Sequence, residues 1–420
     1  MFRRLSILAA AAVLVSAFPA AQTQAADTDI PIGVILPLTG NLAQTGASLR
    51  VGAELAQDLV NGHVSYPLPA VGLSGIPSMH HARIKLIIAD SQGKNDQAAS
   101  VAQQLISQDH VVAILGAYAS SNTATASQVA ERAGIPFVCE DSTAEGLTAR
   151  GYKWFFRPTP HDGTFAQNLF DFLVDLKKSK KIDVKKVAIV HEDGLFGTGA
   201  GDAEQKVGKA LGYDIVTNIA YTATTTDVSA EVQKIKAAAP DVVMITSYLP
   251  DSLLFMRAFK DQDVPLKAII AQDAGFIDPN FLKTLGANAD GVFTREVFSL
   301  NIKNRNQSVP LIDQLYRARF AGKPLDGNSA REIMGVLVLA EALNRAKSLK
   351  PDDIRVALTK TNIPGDRTLM PWKNISFGPD GQNKGGAGIV EQIQGDAYQT
   401  VWPFDVSVKP VVWPMPAWKR

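Results

Sequence analysis

Apolar and polar positions along this chain switch repeatedly between two periods. Ile30–Leu36 is a short, almost unbroken apolar run, the pattern of a buried strand. It gives way through Thr39 and Gly40 to a helical spacing that carries Leu49, Ala53 and Ala56. The switch recurs: strands are predicted at 83–89, 111–115 and 135–139, and helices at 95–108 and 121–133. A second series begins after Arg157-Pro158-Thr159-Pro160. It predicts helices at 165–176, 199–211, 228–239 and 252–261, interleaved with strands at 186–190, 213–221, 242–246 and 268–271. A strand at 291–297 reads as a return to the first series. Helices at 309–320, 329–348 and 352–359 follow, then short strands at 388–394 and 399–401. Near-continuous apolar strands between helices predict parallel sheets covered on both faces, an α/β fold of two Rossmann-like lobes. Residues 61–82, rich in Pro, Gly and Ser, are expected to form a long surface loop.

The first 26 residues fall outside this alternation. Arg3 and Arg4 precede an apolar run from Leu5 to Phe18 and a small-residue zone ending at Ala25-Ala26, which is the order of a cleavable export signal. The run is shorter than the roughly 20 residues that span a bilayer. No cysteine lies near the cleavage zone, so lipid attachment there is not expected. The sole cysteine, Cys139, cannot form an internal disulfide and is expected as a small buried hydrophobe. A net charge of +1, evenly spread, gives no basic stripe for nucleic acid.

Candidate chemistry sits at predicted strand ends. In an open α/β sheet, ligands collect in the crevice at the carboxyl ends of strands. Thr39, Gly40, Thr45 and Gly46 follow the first strand, where small residues let backbone approach a bound molecule. Gly116-Ala117-Tyr118-Ala119-Ser120-Ser121 places hydroxyls at a helix start, suited to capping or to an anionic group. Ser142 and Thr143 repeat this after the next strand, and hydroxyls from both ends can serve one carboxylate. Asp273 follows the strand 268–271 and suits an ammonium group. Gly194–Gly199 lacks dinucleotide spacing, which makes Phe196 more interesting as an apolar wall. The six histidines form no metal set, and no nucleophile elbow, zincin motif or P-loop is present, so no cofactor, metal or catalysis is expected.

The segments VILPLTGNLAQTG, LIIADSQGKNDQAASVAQQLI, ILGAYASSNTATAS, GIPFVCEDSTAEGLT, YKWFFRPTP and VAIVHEDGLFGTG, with the stretch from MITSYLPD to AQDAG, carry a resemblance from about Ile30 to Tyr398. The chain resembles the type I periplasmic solute-binding proteins of ABC importers, the branched-chain amino-acid binding family. The resemblance implies two lobes joined by three crossover strands, with lobe 1 at 27–158 and 290–384 and lobe 2 at 159–289 and 385–420. It implies that Ser120, Ser142 and Thr143 hold a ligand carboxylate and that Asp273 holds its ammonium group. Phe196, Tyr248 and Thr45 match contact positions, with Tyr118 in the same set. Glu140 and Asp141 stand where the family often has small or neutral residues, and they are expected to point away from the pocket. Thr45 replaces a bulkier aromatic of some members, and Gly93 and Ala119 lie about where some relatives carry a cysteine pair.

The expectation is a non-enzymatic, monomeric periplasmic receptor that closes on a small-molecule ligand and delivers it to a membrane permease. The ligand is an amino acid, branched-chain or otherwise apolar or aromatic, or a related small carboxylate. The alternatives are a sensor serving a regulator or chemoreceptor, or a receptor for amides, urea-like solutes or aromatic acids.

Overall fold

The computed structural model describes residues 29–418, and the expected export signal lies outside the described residues. The apolar run Ile30–Leu36 forms strand β1, followed by helix α1, Ala43–Asn61. Ile84–Asp90 (β2), Asn95–Ser107 (α2), Ala113–Gly116 (β3), Ser120–Ala133 (α3), Phe137–Val138 (β4) and Phe155–Phe156 (β5) complete the first unit. Its five strands run in parallel in the order β2-β1-β3-β4-β5. That is a doubly wound sheet whose order reverses between β1 and β3.

The second unit repeats the plan. It comprises Asp162–Lys180 (α4), Lys186–Glu192 (β6), Leu195–Ala210 (α5), Asp214–Tyr221 (β7), Ser229–Ala238 (α6), Val242–Thr246 (β8), Leu249–Asp261 (α7), Ala268–Ala271 (β9), Pro279–Leu285 (α8) and Phe293–Glu296 (β10). The chain then runs through Val309–Arg319 (α9), Gly327–Arg345 (α10), Pro351–Thr359 (α11) and a small hairpin, Asn362–Pro364 (β11) with Asn374–Ser376 (β12). Ile389–Gln394 (β13) and Ala397–Trp402 (β14) finish the fold. The larger sheet has the order β14-β13-β10-β9-β8-β6-β7, parallel from β7 to β10 and antiparallel beyond. Every residue of β8 and β9 is buried, as a central strand with helices on both faces requires.

Two expectations change. The strand at 291–297 does not return to the first unit: Phe293–Glu296 pairs with β9 and β13, because its apolar face completes the second sheet. The return comes afterwards, where α9 and α10 pack on α1 and share the core of β1. The segment 61–82 is not merely a surface loop, since Leu68, Val71 and Ile76 are buried in that same core. Cys139 is buried, which pushes its thiol up to about 12.

Between the units the first and third passages lie side by side. Arg157 donates through Nε to Gln382 Oε1 at 2.6 Å, and Asn383 donates through Nδ2 to the Pro158 carbonyl at 2.8 Å.

Candidate ligand site

The carboxyl ends of both sheets face each other across a cleft. The loops after β3, β4, β6, β8 and β9 converge there, joined by the first turns of α10. Tyr118, Ser120, Asp141, Ser142, Thr143, Phe196, Tyr248, Asp273, Ala274, Asn328 and Arg331 line a small interior space of about 20 Å³. Seven of the eight residues expected from the sequence are therefore brought together. The tilted rings of Tyr118 and Phe196 flank Tyr248, with centroids 5.9 and 5.6 Å away, and form one aromatic wall across the cleft. Ser120 opens α3, whose start has no side-chain cap. The Thr143 hydroxyl is buried with no hydrogen-bond partner of ordinary geometry. Both therefore offer donors to an anion. Ser142 is committed to the loop itself: its hydroxyl donates to the Tyr118 carbonyl at 2.7 Å and shares a 2.7 Å bond with Thr123.

Thr45 stands apart from this lining. Its hydroxyl donates to Asp278 Oδ2 at 2.9 Å, a bond that crosses the cleft. The rest of the loop after β1 serves its own packing. Thr39 binds Asp90, and a Cβ on Gly46 would lie 2.0 Å from the Pro37 carbonyl oxygen. A Cβ on Gly40 would lie 2.8 Å from the Gln92 carbonyl oxygen, so close backbone approach at both glycines already serves the packing of this loop against the chain itself.

A family model described as periplasmic binding protein matches residues 29–397. The chain belongs to the periplasmic binding protein family. This binding protein is 30% identical over 413 residues to Leu/Ile/Val-binding protein homolog 8 of Brucella suis, covering 96% of this chain and 98% of that one. Two solved structures share its fold. One is the branched-chain amino acid transporter substrate binding protein LivJ of Streptococcus pneumoniae, in complex with isoleucine (TM-score 0.75, 22% identity, covering 92% of this chain and 100% of that one). The other is an ABC transporter solute binding protein of Rhodopseudomonas palustris with 3,4-dihydroxy benzoic acid (TM-score 0.73, 20% identity, covering 94% and 98%).

The electrostatics of the binding protein's pocket rest on residues that the sequence reading did not select. Arg331 is buried and reaches three partners: Nε lies 2.8 Å from Asp141 Oδ1, Nη1 2.8 Å from Asp273 Oδ2, and Nη2 donates to Asn328 Oδ1 at 2.8 Å. Arg295 approaches the same Asp273 oxygen at 2.5 Å and stacks over the Phe165 ring, 3.4 Å from its centroid. Asp273 is thus not a free acid awaiting an ammonium group, because two guanidiniums share one of its oxygens. Asp141 does not point away either. It lines the pocket with Oδ2 unpartnered, and burial pushes its pKa well up against the opposing pull of Arg331. Glu140 does turn away from the lining, accepting from the Gly116 amide at 3.1 Å. Its carboxyl meets Glu332, whose pKa burial and the repulsion of Glu140 push well above the ordinary carboxyl range. Burial disfavours the charge of Arg331, but Asp141 and Asp273 outweigh it and its pKa rises.

One signal for Arg331 was available. The run Ile333–Ala340 is apolar on every face of the helix, and α10 is buried throughout Gly327–Ala340. A helix apolar all round lies inside a protein, so its Arg331-Glu332 pair had to find buried partners. Backbone strain was not legible at all. Tyr118, Asp273 and Ala274 line the pocket with φ of 64°, 46° and 49°, a region costly for residues with a Cβ.

Proposed function

We propose that this chain is the substrate-binding component of an ABC importer and that it captures a zwitterionic amino acid with an apolar or aromatic side chain. The observation that carries the reading is the charge balance of the pocket, where Asp141 and Asp273 meet Arg331 and Arg295. A zwitterion adds no net charge to this buried set, whereas a lone cation or anion leaves one charge uncompensated. The α3 start, Thr143 and Arg331 suit the carboxylate, Asp141 suits the ammonium, and the Tyr118–Tyr248–Phe196 wall suits the side chain. Three charge-assisted bonds of about 1.5–3 kcal/mol each supply much of the roughly 8 kcal/mol that micromolar binding requires.

An amino acid enters a space of about 20 Å³ only when the two units part. The lobes therefore hinge about the passages after β5, after β10 and before β13, and ligand favours closure because only closed lobes satisfy both of its ends. A monomer in the periplasm, handing ligand to a permease and catalysing nothing, fits this design. The names of the Brucella and Streptococcus proteins support a branched-chain ligand.

A second reading, an aromatic carboxylic acid, is favoured by Arg331 beside three aromatic rings, and the Rhodopseudomonas protein is bound to such an acid. Titration calorimetry with L-leucine, L-phenylalanine and 3,4-dihydroxybenzoate separates the two readings. Saturable binding of either amino acid is expected. Binding of the benzoate alone selects the second reading, and heat from none of them, together with no ligand recovered from denatured protein, rejects both.

A further inference from the structure

A much larger cavity lies on the other side of the α10 start. It measures about 1100 Å³ and is lined by α8, the passage after β10, the α9–α10 connection and the β13–β14 turn, so it too spans both units. Its walls share no residue with the small pocket. Three carboxylates form its floor: Glu296, Asp326 and Glu391, with exposures of 1%, 7% and 5%.

Two of these carboxylates have an oxygen with nothing to bind. Asp326 caps α10 through Oδ1, which accepts from the Ser329 amide at 2.8 Å, and its Oδ2 is buried and unpartnered. Glu296 Oε1 accepts from the Val297 amide at 2.6 Å, and its Oε2 is likewise unpartnered. The two side chains adjoin. A Cβ on Gly327 would sit 1.9 Å from Glu296 Oε2, so glycine next to Asp326 is what admits the second carboxyl. Arg331 is the guanidinium that acts most strongly on Glu296, but its close contacts are with Asp141, Asp273 and Asn328 and not with Glu296. The lining cations stand at the rim: Arg317 is paired with Asp313, Lys323 lies over the Phe320 ring, and Lys283 is exposed. Phe298 and Leu325 supply buried apolar wall beside the acidic floor.

We propose that this cavity is a second binding site, for an organic amine whose ammonium group pairs with Glu296 and Asp326 while its apolar body lies against Phe298 and Leu325. A cavity of this size suits an organic molecule. Among the described residues no three carboxylate, imidazole or thiolate groups are gathered as a metal ion needs. The positive charge of an arriving ammonium would offset the burial penalty that now pushes Asp326 up to about 7 and Glu391 up to about 8. Because the site spans both units, its occupant also favours their closed arrangement, and amine and primary ligand strengthen each other's binding.

The test titrates the purified protein with 3-phenylpropan-1-amine, 3-phenylpropan-1-ol and 3-phenylpropionate, which share one skeleton and differ in charge. Saturable one-to-one binding of the amine is expected, with the alcohol and the acid at least tenfold weaker. Asp326→Asn with Glu296→Gln should weaken the amine tenfold or more. Ala287→Trp, at an exposed lining position, should block the cavity without touching the buried charges, and so answers for the acid variants if they fail to fold. Absence of amine binding at millimolar concentration overturns the proposal. So does equal binding of the three compounds, or full amine affinity in Ala287→Trp. These outcomes are independent of whether the primary pocket takes an amino acid.

Discussion

Arg331 holds two acids of the pocket in place, and its loss should be felt twice. Arg331→Ala leaves Asp141 and Asp273 facing each other in a buried cleft. Breaking a buried pair in this way costs about 3–5 kcal/mol. Chemical denaturation should show a loss of that order, with amino-acid binding abolished, and an unchanged unfolding midpoint would contradict the pairing. Thr143 makes a narrower case. Its buried hydroxyl makes no hydrogen bond of ordinary geometry, so Thr143→Ala should leave stability nearly intact and cost a carboxylate ligand about 1.5–3 kcal/mol, measured by calorimetry. The amide analogue of the same ligand should lose less. These hydroxyls were readable from residues alone, because a Ser or Thr just past a buried strand has few other places to point. The partners of Asp273 were not. Arg295 and Arg331 lie 22 and 58 residues away along the chain.

Helix α5 packs on α4 with a buried acid between them. Both carboxyl oxygens of Glu204 are unpartnered, and burial raises it from 4.5 to about 8. Below pH 4.5 the folded and unfolded chains are both protonated there. At higher pH the unfolded chain releases its proton while the folded chain keeps it, so stability falls until the pH has risen through about 8. Glu204→Gln should flatten that fall, seen as a smaller difference between melting temperatures at pH 5 and pH 9. The loop after β9 is constrained differently. A Cβ on Gly275 would lie 2.4 Å from the Tyr248 carbonyl, at the start of α7. Gly275→Ala should therefore push apart two pocket walls and weaken ligand binding together with stability, by about 1–3 kcal/mol in unfolding. The helices and central strands themselves follow from their apolar periods. Short β4 and β5, by contrast, are held by neighbours more than by any pattern of their own.

The closed arrangement rests on a few bonds between the units. Thr45 to Asp278, Arg331 to Asp273, and the Leu195 amide to Ser121 Oγ at 3.2 Å all cross the cleft. Thr45→Val removes one of them away from the lining. It should lower ligand affinity by about 0.5–1.5 kcal/mol and enlarge the unliganded protein in solution scattering. Unchanged affinity and size would mean that the bond plays no part in closure.

The alternation of apolar periods was enough to specify two doubly wound units and to put hydroxyls and aromatic residues at strand ends, because burial imposes those periods locally. Which strand ends face each other, and which buried charges then meet, depended on packing between segments up to hundreds of residues apart. A guanidinium on a helix has no local mark of the acids it will neutralise. Its partners exist only once the two sheets are set opposite one another.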